Sequence, residues 1–438
     1  MAEVKIKRQN KGVEMKTKIF VVLLLSFCTL PIMAAEKASD VGEMFTKGVY
    51  DVKLRLAFEY SDVENGNVNP AKGLTLSSYV GFRTAEYEGF SLYAQVHNLW
   101  KLDDRYDDDA RPGQGGKKDG EYDVIADPDG TRIQQLYGDF TMIPETKVRI
   151  GRQEILLDDV RFIGNIGWRN TAQAFDAITL TNTSIKDTKI FLGYIDQIAT
   201  ILFEEAEYDG IWLANVNYTG FKGHSQTAFA YLVDSESDNE KSAKDTATYG
   251  FRLNGAFDSL KYDMTYAHQT DYQDSEDRNL DFFQGYVGYD FGGFEPGIGY
   301  SYIDGSDEAD EQAFDTLFST AHKYNGWADQ FLKTNGGGLK DGLQDFYASL
   351  KFKALGMNFG IIYHYFDTTE SHTYSNSYGQ EIDFVASKKL AKNLTATAKL
   401  AYYDATDDSD NPTKDELVFW LRLDYSFSAP IADPFAIN

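Results

Sequence analysis

Cysteine is almost missing from this chain of 438 residues: there is one, Cys28, and it lies in a stretch that reads as a leader. The mature chain is then expected to hold no thiol, which excludes a disulfide framework and a thiolate metal site. Proline is scarce at 9 residues and the mean hydropathy is -0.42, so neither a proline-rich disordered chain nor a bundle of transmembrane helices fits. The single long apolar run, residues 19–30, is too short to cross a bilayer as a helix. With Lys16, Thr17 and Lys18 before it and Pro31-Ile32-Met33-Ala34-Ala35 after it, it has the parts of a secretory signal peptide, with Met15 as a start and cleavage after Ala34 or Ala35. Positive charge is the last shortage. Residues 1–35 carry six bases and two acids of the chain's 42 and 68, leaving 36 against 66 and a net charge of -30, which argues against nucleic acid as a partner.

Aromatic residues are abundant, with 29 Tyr and 30 Phe, and they recur at the ends of alternating segments. In YDVKLRLAFEY, Tyr50, Val52, Leu54, Leu56, Phe58 and Tyr60 share one face, while Asp51, Lys53, Arg55, Ala57 and Glu59 share the other. From Tyr50 to Tyr60 a strand tilted near 45° rises roughly 24 Å, the height of a barrel's apolar band with an aromatic at each rim. ELVFWLRLDYSF, FYASLKFKAL, MNFGIIYHYF, LTATAKLAYY, TYGFRLNGAF and LKYDMTYAHQ repeat the pattern. Between Tyr50 and Phe427 about eighteen such segments can be counted, the even number that bacterial outer-membrane barrels use. The patterning is weak near Arg132, Gly210 and Gly285.

The links alternate as well. Short ones such as TAEYEG, IPET, FGGF and ALGM take turns with long ones at 101–131, 234–246, 304–341 and 404–415. Short periplasmic turns and long external loops produce that alternation, and a soluble sandwich does not. Acids collect in the long links: 101–131 holds ten against five bases, and 404–416 six against one. The excess negative charge therefore faces outward. The expected fold is all-β, a transmembrane antiparallel barrel over 36–427 in the bacterial outer membrane, with residues 1–35 as extension and signal peptide and 428–438 as a tail.

If the apolar face meets lipid, the other lines a lumen. Its bases are Lys53, Arg55, Arg83, Arg149, Arg252, Lys351, Lys353, Lys399 and Arg422, against Asp51, Glu59, Asp263, Asp383 and Asp424. The basic lean would favour anionic solutes in a confined pore; alternatively these bases pair with acids across strands and only keep the pore wet.

One stretch breaks the alternation. Between strands expected at 147–153 and 175–180, the link near 154–174 mixes Ile, Leu, Phe and Trp with Arg and Asp, unlike the polar external loops. Such a composition predicts a loop that folds into the barrel as a constriction. Arg152, Arg161 and Arg169 would pair with Glu154, Asp158, Asp159 and Asp176, and Phe162 and Trp168 would wedge against the wall. The arginines could also be used up in those pairs and touch no solute.

This run, GRQEILLDDVRFIGNIGWRNTAQAFDAI, resembles the signature of the alginate-export porin family. The match lies in G-R-Q, D-D-x-R-F-I-G, G-W-R and F-D, carried by Gly151, Arg152, Gln153, Asp158, Asp159, Arg161, Phe162, Gly164, Trp168, Arg169, Phe175 and Asp176. The resemblance implies an eighteen-stranded outer-membrane barrel whose inward basic elements guide a polyuronate or other organic anion. It also implies Arg152, Arg161 and Arg169 as constriction residues, with Asp158, Asp159 and Asp176 as partners. Two features depart from it: the external loops are very acidic for an anionic cargo, and the chain runs eleven residues past Phe427.

Other features carry less. Asp107, Asp108 and Asp109, or Asp407, Asp408 and Asp410, could ligate calcium or bridge to lipopolysaccharide phosphates, but neither set follows the twelve-residue calcium loop. The six histidines, His97, His224, His268, His322, His364 and His372, show no metal-ligand spacing. A lipid-splitting barrel would need a serine beside a histidine on the lipid face, where parity puts His268 with Tyr266 and Met264. The expectation is a channel without cofactor or enzymatic chemistry, passing small anionic solutes such as acidic saccharides. Dedicated export of alginate or a similar polysaccharide and a structural or adhesive barrel are the alternatives.

Overall fold

Alternation at period two can bury one strand face only if the sheet closes on itself or meets a second layer. Here it closes. The computed structural model describes residues 37–64, 68–108, 118–235, 245–273, 278–305, 313–332, 341–370, 377–407 and 411–430, and these hold eighteen strands in one antiparallel sheet. The first, β1 (Val49–Val63), pairs with both β2 (Ala71–Arg83) and the last, β18 (Glu416–Pro430), so no edge is left open. β18 runs to Pro430, three residues beyond the expected end at Phe427; the rest of the tail, like the stretch expected to be a signal peptide, lies outside the described residues.

The faces follow the parity. Along β1, Leu54 and Leu56 are exposed on the outer wall, while Ala57, Glu59 and Ser61 are buried within. The weakly patterned stretches are strands too. β4 (Gly130–Phe140) and β8 (Glu205–Tyr218) take part in pairs with register shifts, which move an extra residue into the count and break the alternation. In β12 (Asn279–Tyr289), Gly285 and Gly288 simply supply no side chain to the pattern.

Inner-side turns are tight. Leu355 and Gly356 join β14 (Leu343–Ala354) to β15 (Met357–Asp367) with φ of 53° and 68°, the positive pair that a two-residue hairpin needs. A short helix, α1 (Val41–Thr46), precedes β1, is capped by Asp40, and gives its Met44 carbonyl to the Ala85 amide. Alternation cannot announce such a helix, and it was not expected.

Candidate pore constriction

β5 (Thr146–Gln153) and β6 (Ala174–Asn182) are joined by a loop that turns into the barrel. Its apolar residues Ile155, Leu157, Phe162 and Ile163 are buried, and the Phe162 ring lies 5.2 Å from Phe229, 5.3 Å from Phe282 and 6.1 Å from Phe314. Phe162 is the expected wedge. The loop does not enter alone. Residues 313–332, from the link expected to be an acidic external loop, enter from the opposite wall with Phe314, Leu317, Phe318 and Phe331 buried. The Gly164 amide donates to the Phe318 carbonyl at 2.9 Å and the Thr320 amide to the Val160 carbonyl at 3.0 Å. A Cβ on Gly164 would stand 2.3 Å from Thr320 Oγ1, so this crossing requires glycine. The two segments form one plug.

The motif arginines fare differently from one another. Arg152 has the expected partner: it meets Asp176 at 2.8 and 2.7 Å from the next strand, and Glu205 at 2.6 Å. Arg161, 2% exposed, does not pair with an acid of its own loop. It donates to Asn325 at 2.9 Å and lies over the rings of Tyr324 and Phe282 at 4.5 and 5.0 Å. Arg169 also reaches out of the loop, to Glu59 on β1 at 2.9 and 3.0 Å. Asp158 is held by Asn215 at 2.7 Å, and Asp159 faces Arg252 at 3.8 Å while its carbonyl accepts from Lys323 and Tyr324. Glu154 takes the Asn165 amide at 2.8 Å. The expected set of pairs within the loop is thus confined to Arg152 and Asp176. A loop that must fasten to four walls spends its polar groups on those walls.

Trp168 sits at the centre. Its ring stacks on His322 at 4.2 Å with 8° between planes, with Lys399 Nζ 3.9 Å and the Arg422 guanidinium 4.2 Å from its centroid. Its carbonyl accepts from Arg422 at 3.0 Å and Arg55 at 3.1 Å, and Arg55 also reaches the Arg169 carbonyl at 2.7 Å. Arg55 and Arg422 share one carboxylate, Asp424, at 2.7 and 3.5 Å. Two guanidiniums on one acid leave a positive charge beside the plug.

Most other lumen bases are paired. Arg149 forks onto Asp139 at 2.6 and 2.8 Å, and Arg83 reaches the same acid at 3.6 Å. Arg252 forks onto Asp263 at 2.9 and 2.5 Å, and Lys351 meets Glu295 at 3.3 Å. Lys53 and Lys353 are exposed. Lys399, 6% exposed, has its ammonium against Trp327 at 3.6 Å and His322 Nε2 at 2.7 Å. Arg132 was not singled out from sequence; it braces the plug through the carbonyls of Thr200 and Ala172. Trp327 and Asp329 were not singled out because the link at 304–341 reads as an external loop, and His322 stood out only as one of six histidines without metal-ligand spacing.

Cavities lie on both sides of the plug. One of about 550 Å³ opens between the outer ends of β1 and β18 and the loops, and one of about 250 Å³ lies lower, against Lys53, Arg55 and Asp424; Arg169 lines both. A third, of about 290 Å³, borders Asp159, Lys323 and Lys351. Burial shapes the charge in the loops: it pushes the Asp329 carboxyl up to about 7 and Asp127 up to about 6, and holds His322 well below its ordinary value, so that imidazole stays neutral. Of the calcium candidates, Asp108 pairs with Lys101, Asp107 is buried, and Asp109 lies outside the described residues, as do Asp408 and Asp410. Among the described residues no cluster of three or more metal-type ligands occurs. His268 meets Asp281 and stands on the outer wall.

The chain matches the Alginate export family over residues 102–413. Similar solved structures include OccK9 (OpdG) of Pseudomonas aeruginosa, with a TM-score of 0.67 and 13% identity over 88% of this chain and 100% of that one. OccAB4 of Acinetobacter baumannii gives 0.66 and 11% over 87% and 98%, and OccAB2 of the same organism 0.64 and 16% over 88% and 99%. These likenesses concern the fold. No curated protein matches the sequence.

Proposed function

The chain belongs to the alginate-export family of outer-membrane β-barrels, and from that membership we propose that it is a passive channel selecting small anionic solutes, acidic saccharides among them. That it is an outer-membrane channel, set in lipid and passing small solutes, follows from family and fold. The preference for anions rests on one observation: Arg55 and Arg422 share Asp424 beside the Trp168 and Arg169 carbonyls, where the upper and lower cavities are separated by a single loop. Positive charge in a confined, partly dehydrated passage attracts anions more strongly than the same charge at a surface. Arg169 lies at the junction but is matched by Glu59, so it positions the loop while Arg55 and Arg422 supply the field.

Small solutes suit this lumen better than a long polymer. The plug divides the interior into cavities of about 550, 290 and 250 Å³, of which the first lies within the range of about 300–1,000 Å³ typical of small-molecule sites and the other two fall just below it. In this reading the channel carries out no reaction of its own.

Single-channel recording in planar bilayers tests the proposal, with reversal potentials in a salt gradient and with added oligouronate. The intact channel should prefer anions and be blocked by the oligomer, and Arg55→Ala with Arg422→Ala should move the reversal potential toward cations and relieve the block. A cation-preferring channel indifferent to the sugar would overturn the anionic reading, and a barrel without conductance would favour a structural or adhesive role.

A further inference from the structure

The cavity of about 290 Å³ stands apart from the throat. Its wall is made by β11 (Leu260–Asp271), β12, β13 (Phe294–Ile303), β14 and β15, with two strands between it and the seam of β1 and β18, and residues 323–327 of the plug complete the lining. Its charged side chains are matched with one another. Asp159 and Asp263 both face Arg252, at 3.8 and 2.5 Å, Lys323 donates to the Asp159 carbonyl at 2.8 Å, Lys351 meets Glu295 at 3.3 Å and His364 meets Asp345 at 2.8 Å. The lining groups that lack a partner among the described residues are uncharged. They include the Ser301 and Ser349 hydroxyls and the Gln284 side-chain carbonyl, whose residues are 3%, 8% and 9% exposed. A buried polar atom left unpaired is unfavourable, so three of them on neighbouring strands around one space call for hydrogen-bonding groups in that space.

The same lining carries a flat aromatic floor. Tyr286 and Tyr347 flank Gly299 from the two neighbouring strands, and both rings lie down on β13 where it has no side chain. A Cβ on Gly299 would stand 2.0 Å from Tyr347 Cζ, and one on Gly297 2.3 Å from Tyr286 Oη. Glycine within a strand marks such a close approach. The two glycines are two residues apart on one face, about 6.7 Å along a strand, and the ring centroids are 6.4 Å apart with 8° between planes. The rings therefore lie side by side as one platform. Lys351 Nζ stands 4.9 Å from the Tyr286 centroid and its side chain is 57% exposed, which places it at the rim, toward the lumen.

We infer that this cavity is a binding subsite for an uncharged sugar ring. A pyranose presents C–H groups on a face and hydroxyls around its edge, which is the pairing that two tyrosine faces bordered by Ser301, Ser349 and Gln284 recognise. The serines can donate or accept, and Lys351 donates from the rim. The Gln284 amide donates to Asp159 at 3.4 Å, which leaves its carbonyl to accept from the sugar. No group at the site calls for a counter-charge. The subsite is therefore independent of the throat's preference for anions, and it extends the channel's cargo to neutral sugars, held beside the plug by contacts that salt does not screen.

The test uses the full barrel with methyl β-D-glucopyranoside, and with sorbitol as an open-chain probe that keeps the hydroxyls but has no flat face. Block of single-channel current is read for each in planar bilayers. The glucoside should half-block the current at a concentration at least about tenfold below that of sorbitol. It should do so equally at about 0.1 and about 1 M salt, although the screening length falls about threefold between them. Ser301→Ala with Ser349→Ala should leave unfolding from detergent unchanged or slightly favour the fold, since neither hydroxyl has a partner to lose among the described residues. The same pair should raise the half-blocking concentration of the glucoside by about two- to tenfold for each bond lost. Tyr347→Leu should weaken the glucoside and leave sorbitol unchanged. Equal block by the two probes, block by neither, or a folded serine variant that the glucoside blocks like the parent would each overturn the subsite, the oxygens then serving water alone. The sign of the throat is read separately, from the reversal potential without sugar, so either reading can fail while the other stands.

Discussion

Above the plug the lumen is walled by carboxylates and indoles that are largely mounted on loops, whereas below it the bases stand on strands, and several of them face an acid one strand away. The lower pairs follow from register. Arg55 lies opposite Asp424, Arg149 opposite Asp139 and Arg152 opposite Asp176, so the sheet's own hydrogen bonds bring them together. Asp329, His322 and Trp327 above have no such scaffold and are placed by what the plug touches. Charge set by register is stiff, and charge carried on a docked loop moves when the loop moves. The lower half can hold a fixed selectivity while the upper half responds to conditions.

The sharpest way to break this contrast is at the contact that ties the halves together. Arg169→Ala leaves Glu59, 8% exposed, facing the lumen without its partner, and should cost about 3–5 kcal/mol in unfolding from detergent and enlarge the conductance. Adding Glu59→Gln should recover much of the stability but not the seal. If the single variant is as stable as the parent and conducts alike, the plug is not held there.

Acidity should separate the halves less drastically. The Asp329 carboxyl titrates at about 7 in the docked loop because burial disfavours its charge, against about 3.9 in an unfolded chain. The docked state thus holds the proton more tightly; its advantage is full below about pH 4 and is lost as the pH rises through about 7. Protease cleavage within 313–332 should rise by up to about a hundredfold from pH 5 to pH 8, and Asp329→Asn should flatten the profile. A steeper dependence in that variant would point to another group.

The smallest effect belongs to the ladder. Removing Arg149 deletes one cross-strand pair of about 0.2–1 kcal/mol, because Arg83 remains within 3.6 Å of Asp139. Thermal unfolding should barely change, while the reversal potential should shift toward cations. A large loss of stability would show that the lower pairs carry structure as well as field.

How much of this could be read beforehand depended on where the partners lay. The strands were legible because each carries its own alternation, and β4 and β8 blurred only where bulges shift the count. The inward turn at 154–173 was legible because Phe162 and Trp168 have no place in a solvated loop. Its contacts were not. Arg161 was expected to find an acid nearby and instead meets Asn325, 164 residues away, a contact that exists only after the opposite wall is in place. The second inward segment went unseen because acids flank it on both sides, although Phe314, Leu317, Phe318, Trp327 and Phe331 stand within twenty residues of one another. Scanning the centre of that link apart from its ends would have found it.

The seam where the barrel shuts has a consequence for the order of assembly. Arg55 and Arg422 stand on the first and last strands, and both donate to the carbonyl of Trp168, a residue of the link between the fifth and sixth. That knot cannot be tied while the two ends of the sheet are apart. The plug therefore completes late in folding, and once in place it works as a clasp: to part the first strand from the last, the chain must also release a segment that belongs to neither.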